Sequence, residues 1–335
     1  MAEPPIIISD HQVARLLPRG ELILRLEEAL ATFSRRDNSE VIQPVRSTLP
    51  LQKHNGFMYT MPTYMENKGV FCTKFVALYN REKASALPSV QATVVLLDPE
   101  SGRMKAVMEG NAITCVRTAA VSAISAKLLM PPRAEVLAIL GTGRQALSHY
   151  DIFTQMFSFK EVRVWGRTRQ GMDRFQGSVK GPMTRCESAE AAVTGADVIV
   201  TVTSSLEPVL FGKWVKPGAH VAAVGACGPD WRELDDVLMK EAAVYVDSRE
   251  GATAESGDVI LSKVVVLSED DLEIQVSFGT STTFHISDQS SVEHCPRFSR
   301  WKYLQSWEKS SLDGKLRLER RRRCLNPLEW GLKMQ

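Results

Sequence analysis

Gly141-x-Gly143-x-x-Ala146 follows the apolar run Glu135–Leu140 and opens a helical pattern through Ala146, Tyr150, Phe153 and Phe157. A first glycine permits a tight turn, and a second lets backbone approach a pyrophosphate. A small third residue lets helix and strand pack closely. The helix start adds the positive end of its dipole, so the spacing points to dinucleotide binding. The alternative is a glycine-rich turn that holds no ligand. The next apolar run ends Trp165-Gly166-Arg167-Thr168, with no acid to accept from a ribose 2′-hydroxyl. Arg167 can instead pair with a 2′-phosphate, Thr168 can add a hydroxyl, and Arg144 adds a second positive charge. NADP(H) is expected over NAD(H); two solvated arginines are the alternative.

Three more cations stand in surroundings that do not suit a charge. Lys74 lies in Phe71-Cys72-Thr73-Lys74-Phe75-Val76-Ala77-Leu78-Tyr79, where either strand face is apolar or small. A buried ammonium is unfavourable unless an anion pairs with it, so a bound carboxylate or a neighbouring acid is expected. Snorkelling to solvent is the alternative. Arg117 sits among small residues near the start of a helical stretch, a place for an anion clamp, and Arg46 in Gln43-Pro44-Val45-Arg46 is a third candidate. Each arginine taken singly also fits a structural ion pair.

The elements that must position these residues fall into two kinds. Gln12–Phe33 has helical apolar spacing, broken near Pro18 and Gly20. Extended runs follow at Ile42–Leu49, Gly56–Met61, Val70–Tyr79, Ala92–Leu97 and Lys105–Val107, which predicts a mainly antiparallel sheet. Thr114–Met130 is helical and rich in small residues, and Pro131-Pro132 stops it. Beyond it, strands at Glu135–Leu140, Val162–Trp165, Val198–Val202, Val221–Val224 and Val244–Val246 alternate with helices such as Ser188–Val193 and Leu234–Glu241. Apolar strands alternating with helices predict a parallel sheet covered on both faces. The fold class expected is α/β, a Rossmann-type dinucleotide-binding domain beside an α+β domain.

Composition bounds the function. The 335 residues are 44% hydrophobic and carry a net charge of +2, enough apolar content for real cores and no excess of basic charge for nucleic-acid binding. The six cysteines at 72, 115, 186, 227, 295 and 324 form no CxxC pair, so neither a disulfide framework nor a metal site is expected. Met1–Asp10 carries Glu3 and no basic region ahead of an apolar stretch, and no uncharged run is long enough to span a bilayer. No secretory leader and no membrane contact are expected, and a cytoplasmic, reducing location is. Residues 1–262 hold 29 alanines while 263–335 hold none, together with 10 serines and the run Arg320–Arg323. The composition breaks near Ser262.

Gln43-Pro44-Val45-Arg46, Thr73-Lys74, Asn111-x-Ile113-Thr114-x-x-Arg117-Thr118-Ala119-Ala120, the Gly141 fingerprint and Gly195-Ala196-Asp197-Val198-Ile199 resemble the ornithine cyclodeaminase/mu-crystallin family. Trp214–His220, Pro229–Asp236 and Glu255-Ser256-Gly257-Asp258-Val259 extend the likeness, which runs from about residue 6 to 262. The resemblance implies a homodimer of two-lobed subunits. Residues 1–116 would bind substrate and form the dimer, and 117–262 would bind NADPH. The implied activity is NADPH-dependent reduction of cyclic ketimine carboxylates, of the piperideine-2-carboxylate type, to cyclic amino acids. Iodothyronine binding in the same pocket is implied too. A hormone binder or lens structural protein with little catalysis is the alternative from another class.

By the same resemblance, Lys74 and Arg117 match catalytic positions, and Arg46, Cys227 and Glu255 match substrate-contacting ones. Ser89, Val90, Arg117, Thr142, Gly143, Arg144, Gly166, Arg167, Thr168, Thr203, Ser204 and Val224 match positions lining NADPH. Cys227 stands where the cyclodeaminase branch has its catalytic Asp, which favours reduction over deamination. Val90 and Gly166 replace the His and Asn of close relatives. Residues 263–335 lack the family's closing segment and returning helix, so a divergent, disordered tail is expected. A chain inactive for want of that segment is a further alternative.

Overall fold

The computed structural model describes residues 4–34, 40–79 and 88–264, with the backbone of 275–278 and 282–285. The chain opens with strand β1 (Ile6–Ile8) and helices α1 (Asp10–Leu16) and α2 (Arg19–Ser34). Ser9 and Gln12 cap α1 reciprocally, and Pro18 separates the two helices. Then come β2 (Val41–Ile42), β3 (Ser47–Leu51), β4 (Gly56–Met65), β5 (Val70–Tyr79), β6 (Val90–Leu97) and β7 (Met104–Glu109). They form one sheet in the order β1-β7-β6-β5-β4-β2, with β3 also on β4. All its pairs are antiparallel except β1 with β7. The run expected over Ile42–Leu49 is split, because Pro44 sits between β2 and β3 and has no N–H to offer a ladder.

Register sorts the sheet's two faces. Tyr59 pairs with Val76 and Met61 with Lys74, and Val76 and Lys74 pair onward with Ala92 and Val94. These residues share the face on which Val76, Ala92, Val94 and Ala106 are buried. The other face carries Ile7, Leu49, Met58, Phe75, Val95 and Val107, and along it Ile7 is 79% and Leu49 58% exposed.

Helix α3 (Asn111–Leu129) runs on to the second sheet without a break. Ala119, Ala120, Ala123 and Ala126 have no solvent exposure, because small side chains let neighbouring elements approach closely. By length and composition α3 could cross a membrane, but those alanines are packed inside the protein and Arg117 and Lys127 interrupt it. Met130 takes an extended conformation before Pro131 and ends the helix.

The second sheet alternates with helices: β8 (Val136–Leu140), α4 (Arg144–Met156), β9 (Glu161–Trp165), α5 (Arg169–Ser178), β10 (Thr184–Arg185), α6 (Ala189–Val193), β11 (Val198–Thr201) and β12 (His220–Ala223). All pairs are parallel, in the order β10-β9-β8-β11-β12, so the strand order reverses between β8 and β11. Leu137 and Ile139 face a core with α3 and α4, and Ala138, Leu140 and Ile199 face one with α6. Burial on both faces is why these strands read as unbroken apolar runs. His149 bridges α4 to α3, with Nε2 3.0 Å from Ser122 Oγ. Burial lowers its pKa to about 4, so it stays neutral.

Helices α7 (Asp236–Glu241), α8 (Arg249–Glu255) and α9 (Gly257–Ser262) follow. Val244–Val246, expected as a strand, is not one. Val244 and Val246 pack into the core, but their backbone joins no ladder among the described residues. Apolar alternation reports burial, and a strand also needs a partner. Contacts separate Met1–Val266 from Leu267–Gln335. Of the latter, β13 (Gln275–Phe278) and β14 (Thr282–His285) pair antiparallel. Most of the tail expectation lies outside the described residues.

Candidate active site

The glycine fingerprint forms a cradle at the carboxyl end of β8. Gly141 has φ +130°, and a Cβ there would lie 2.8 Å from the Val202 carbonyl oxygen, so only glycine fits the turn. Nothing lies within 4 Å of a Cβ built on Gly143, which leaves open space at the N-terminus of α4. Such a cradle fits a pyrophosphate, with the first N–H groups of α4 as donors. A Cβ on Gly166 would lie 2.4 Å from Thr142 Cγ2, so the fingerprint loop packs directly on the end of β9.

Beside it, Thr168 caps α5 by accepting from Gly171 N–H at 3.1 Å, and its own hydroxyl hydrogen stays available. Arg167 is exposed and makes no ion pair among the described residues. Arg144 lines a depression of about 220 Å³ between the starts of α1, α3 and α4, with Asp10, Asn111 and Cys115. Arg167 and Thr168 are not among its walls.

Across the strand order reversal, the ends of β11 and β12 are held by one carboxylate. Glu233 has no solvent exposure. It accepts from Thr201 Oγ1 at 2.7 Å, Thr203 N–H at 2.5 Å, Thr203 Oγ1 at 2.6 Å and Gly225 N–H at 2.6 Å. Burial pushes its pKa up, against the pull of these donors. Asp258 holds the same loop by accepting from the N–H groups of Glu233 and Leu234 at 2.8 and 2.9 Å. Thr203, Ser204 and Val224 thus stand at the strand ends where open α/β sheets bind ligands. Ser89 and Val90 lie at the start of β6, and the Ser89 carbonyl accepts from Tyr79 N–H at 2.8 Å.

Between the two sheets the cations converge. Lys74 is deeply enclosed and makes no ion pair among the described residues; burial first, then Arg117 and Arg46, lowers its pKa to about 7. Arg117 has a buried Nε without a partner, and burial lowers its pKa while Asp247 opposes that shift. Gln145 Oε1, where α4 meets α3, is also buried and unpaired. A polar ligand seated here would supply both missing partners. Arg46 donates from Nε to Glu255 at 3.0 Å and from Nη2 to the Cys227 carbonyl at 2.5 Å, and its guanidinium lies 4.3 Å over the Tyr59 ring. Burial raises the pKa of the Cys227 thiol.

Most of the expected residues thus gather in two places, a cradle at Thr142–Arg144 with Gly166–Thr168, and a cation cluster at Arg46, Lys74 and Arg117 with Cys227 and Glu255; Thr203, Ser204 and Val224 stand apart at the ends of β11 and β12, and Ser89 and Val90 at the start of β6. Sequence reading missed Tyr59 and the role of Glu233. Tyr59 is two residues from Met61 on the face that carries Lys74, a signal that register alone reveals. Glu233 is flanked by Arg232, Asp235 and Asp236, which makes the segment look solvated.

The sequence profile of the ornithine cyclodeaminase/mu-crystallin family matches residues 5–280, past the limit of 262 expected from the motifs. Ketimine reductase mu-crystallin of Rattus norvegicus is 53% identical over 270 residues, 80% of this chain and 86% of that one. Among solved structures, the Thermococcus litoralis delta(1)-pyrroline-2-carboxylate reductase in complex with NADH and L-proline superposes with a TM-score of 0.72. It is 31% identical and covers 77% of this chain and 80% of its own. An archaeal alanine dehydrogenase dimer with bound NAD gives a TM-score of 0.69 at 27% identity, over 77% and 78% of the two chains.

Glu233→Ala would leave the Thr203 and Gly225 N–H groups without acceptors, at roughly 1–3 kcal/mol each. The melting temperature should fall by about 5–10 °C, less in Glu233→Gln, as followed by circular dichroism. An unchanged melt in the alanine variant would mean that the loop is held by other contacts.

Proposed function

The chain belongs to the ornithine cyclodeaminase/mu-crystallin family, and on that premise we propose that it reduces the C=N bond of cyclic ketimine carboxylates to cyclic amino acids with NADPH. The observation that carries this reading is the pair Lys74 and Arg117, two enclosed cations without an ion-paired acid among the described residues. They stand between a dinucleotide cradle and the sheet, as a small carboxylate substrate requires. A nicotinamide dinucleotide bound in the cradle supplies the hydride equivalent.

The residues of the chain supply the rest. Arg117 seats the carboxylate and thereby fixes the imine carbon in place. Lys74, with a pKa of about 7, carries a proton near neutral pH and can give it to the imine nitrogen. The protonated imine is the stronger electrophile. Arg46, Cys227 and Glu255 form the wall against the substrate ring. Gly143 and the start of α4 hold the pyrophosphate. Arg167 and Thr168 read the 2′-phosphate, with Thr142, Gly166, Thr203, Ser204 and Val224 lining the remainder. Iodothyronine binding belongs to the same proposal, since these cations would take its carboxylate and the Tyr59 ring its aromatic part.

The outer sheet face supports a homodimer. Leu49, Met58, Phe75, Val95 and Ile7 make it apolar, and the sheet's buried residues Val76, Ala92, Val94 and Ala106 lie on the opposite face. A second copy laid face to face would bury it. The free Cys72, Cys115, Cys186 and Cys227 suit a reducing, cytoplasmic setting.

Loss of NADPH absorbance with piperideine-2-carboxylate tests the activity directly, and folded protein without turnover would sink it. Lys74→Met should lower kcat by about 100-fold or more. In the native protein kcat/KM should fall as the pH rises through about 7, because the proton-carrying form of Lys74 in the free protein is lost there. A flat profile across that range would remove Lys74 as the donor. Arg167→Asp should cut the preference for NADPH over NADH at least about tenfold, since a charge-assisted hydrogen bond is worth roughly 1.5–3 kcal/mol. Unchanged selectivity would move the phosphate reading to another residue. Phe75→Asp with Leu49→Asp should convert a dimer to a monomer in light scattering, and a native monomer would refute the interface.

A further inference from the structure

The lysines of this chain divide by their surroundings. Lys68, Lys105, Lys127, Lys160 and Lys216 each have a carboxylate at 3.0 Å or less, from Glu28, Asp98, Glu27, Glu135 and Asp197 in turn. A carboxylate so placed keeps the ammonium protonated and unreactive, because the nucleophile is the free amine. Lys74 has no ion-paired acid among the described residues. Its cross-strand neighbours are Met61 and Val94, and Val76 and Val94 are buried on the same face. The charged groups that act on it are Arg117 and Arg46, both positive.

Apolar walls and two like charges make an amine that is nucleophilic near neutral pH. With its pKa at about 7, roughly half of Lys74 is free amine at neutral pH, against about one part in three thousand for an ordinary lysine. The same arginines that disfavour an ammonium favour an anion in its place. Arg46 is engaged with Glu255 and the Cys227 carbonyl, whereas Arg117 has a buried Nε without a partner. An electrophile that turned the amine into an anion would relieve the repulsion and offer that Nε an acceptor. To reach an enclosed amine it must also be small and uncharged. Carbon dioxide meets both conditions.

We propose that Lys74 is a carbamylation site: carbon dioxide adds to its amine, and the carbamate, held by Arg117, is a reversible off-state of the substrate site. The Nζ lone pair bonds to the carbon, one C–O π bond opens with its electrons going to that oxygen, and the nitrogen gives a proton to water. Nothing is oxidised or reduced. The modified side chain is negative and has no ammonium proton to give, and it stands against the arginine that would seat a substrate carboxylate. The modification rests on the geometry alone. Its effect on turnover rests on the imine-reductase reading of the same site.

Two measurements on the full chain test it. In the first, protein equilibrated near neutral pH with isotopically labelled bicarbonate and carbon dioxide is trapped with triethyloxonium, which esterifies carbamates, and digested for mass spectrometry. The label on Lys74 should exceed that on Lys68 and Lys216 by at least about tenfold. Lys74→Arg keeps the positive charge without the amine, and the peptide that carries it should hold no label. In the second, kcat/KM for piperideine-2-carboxylate with NADPH is compared in bicarbonate and in formate at equal pH and ionic strength. It should fall by about threefold or more in bicarbonate alone, and recover on degassing.

Folded native protein without label on Lys74, or with equal label on Lys68 and Lys216, overturns the proposal. Equal inhibition by formate, without label, means a bound anion only and overturns it as well. Label on Lys74 in a protein that reduces no imine upholds the modification and refutes the reductase reading. Label that leaves turnover unchanged overturns the off-state.

Discussion

A carboxylate without solvent contact can persist only where donors face it from several sides, and Glu233 meets that condition with four of them. Two come from Thr203 and one each from Thr201 and Gly225, so one side chain ties together the ends of β11 and β12. The close fit excludes alternatives: a Cβ on Gly225 would lie 1.9 Å from the Thr203 carbonyl oxygen and 2.4 Å from Glu233 Oε1. Everything that lines this end of the crevice hangs on that knot. Thr203 and Val224 flank it, and Cys227 follows in the same loop, with Asp258 gripping the loop from α9.

The cation cluster shows the complementary logic. Lys74 stands in the middle of β5, paired across to Met61 and Val94, where an apolar residue would pack at no cost in desolvation. Stability alone gives no reason for it. A site that must receive an anion gives one, because an enclosed and underpaired positive charge attracts what would neutralise it. Enclosure and the neighbouring arginines also bring the Lys74 pKa to about 7, so in the proposed reaction one arrangement would both attract a carboxylate and hold a proton ready to move. Arg46 differs in kind. Its partners are already in place, and its contribution is to tie the sheet to the Cys227 loop, 181 residues away in sequence.

How much of this was legible in the sequence follows from the range of each interaction. The fingerprint was, because turn, helix start and phosphate seat depend on six consecutive residues. Lys74 and Arg117 were, because a charge amid apolar neighbours is a local contradiction. The parallel sheet was, because strands buried on both faces read as unbroken apolar runs. Val244–Val246 misled, since the same apolar signal serves a segment that is buried without a ladder. The short β1 was missed because three residues hold no period, and it exists through its parallel pairing with β7. Glu233 was hidden for the opposite reason to Lys74, its neighbours being charged, so nothing local says that it is the buried one.

The two halves of the site are joined by α3, which carries Arg117 in its second turn and a face of alanines beyond it. Alanines at 119, 120, 123 and 126 let it lie close against α4, and the Thr114 carbonyl near its start accepts from Gln145 Nε2 at 3.4 Å. Gln145 stands two residues after Gly143 of the cradle, so the helix that carries Arg117 is bonded to the helix that opens at the glycine fingerprint. Larger side chains along α3 would push the two apart and move Arg117 with them, since packed interiors shift as units. The small-residue pattern of this helix is therefore part of the geometry of the candidate site: it sets the distance between Arg117 and the glycine cradle, and neither of them could set that distance by itself.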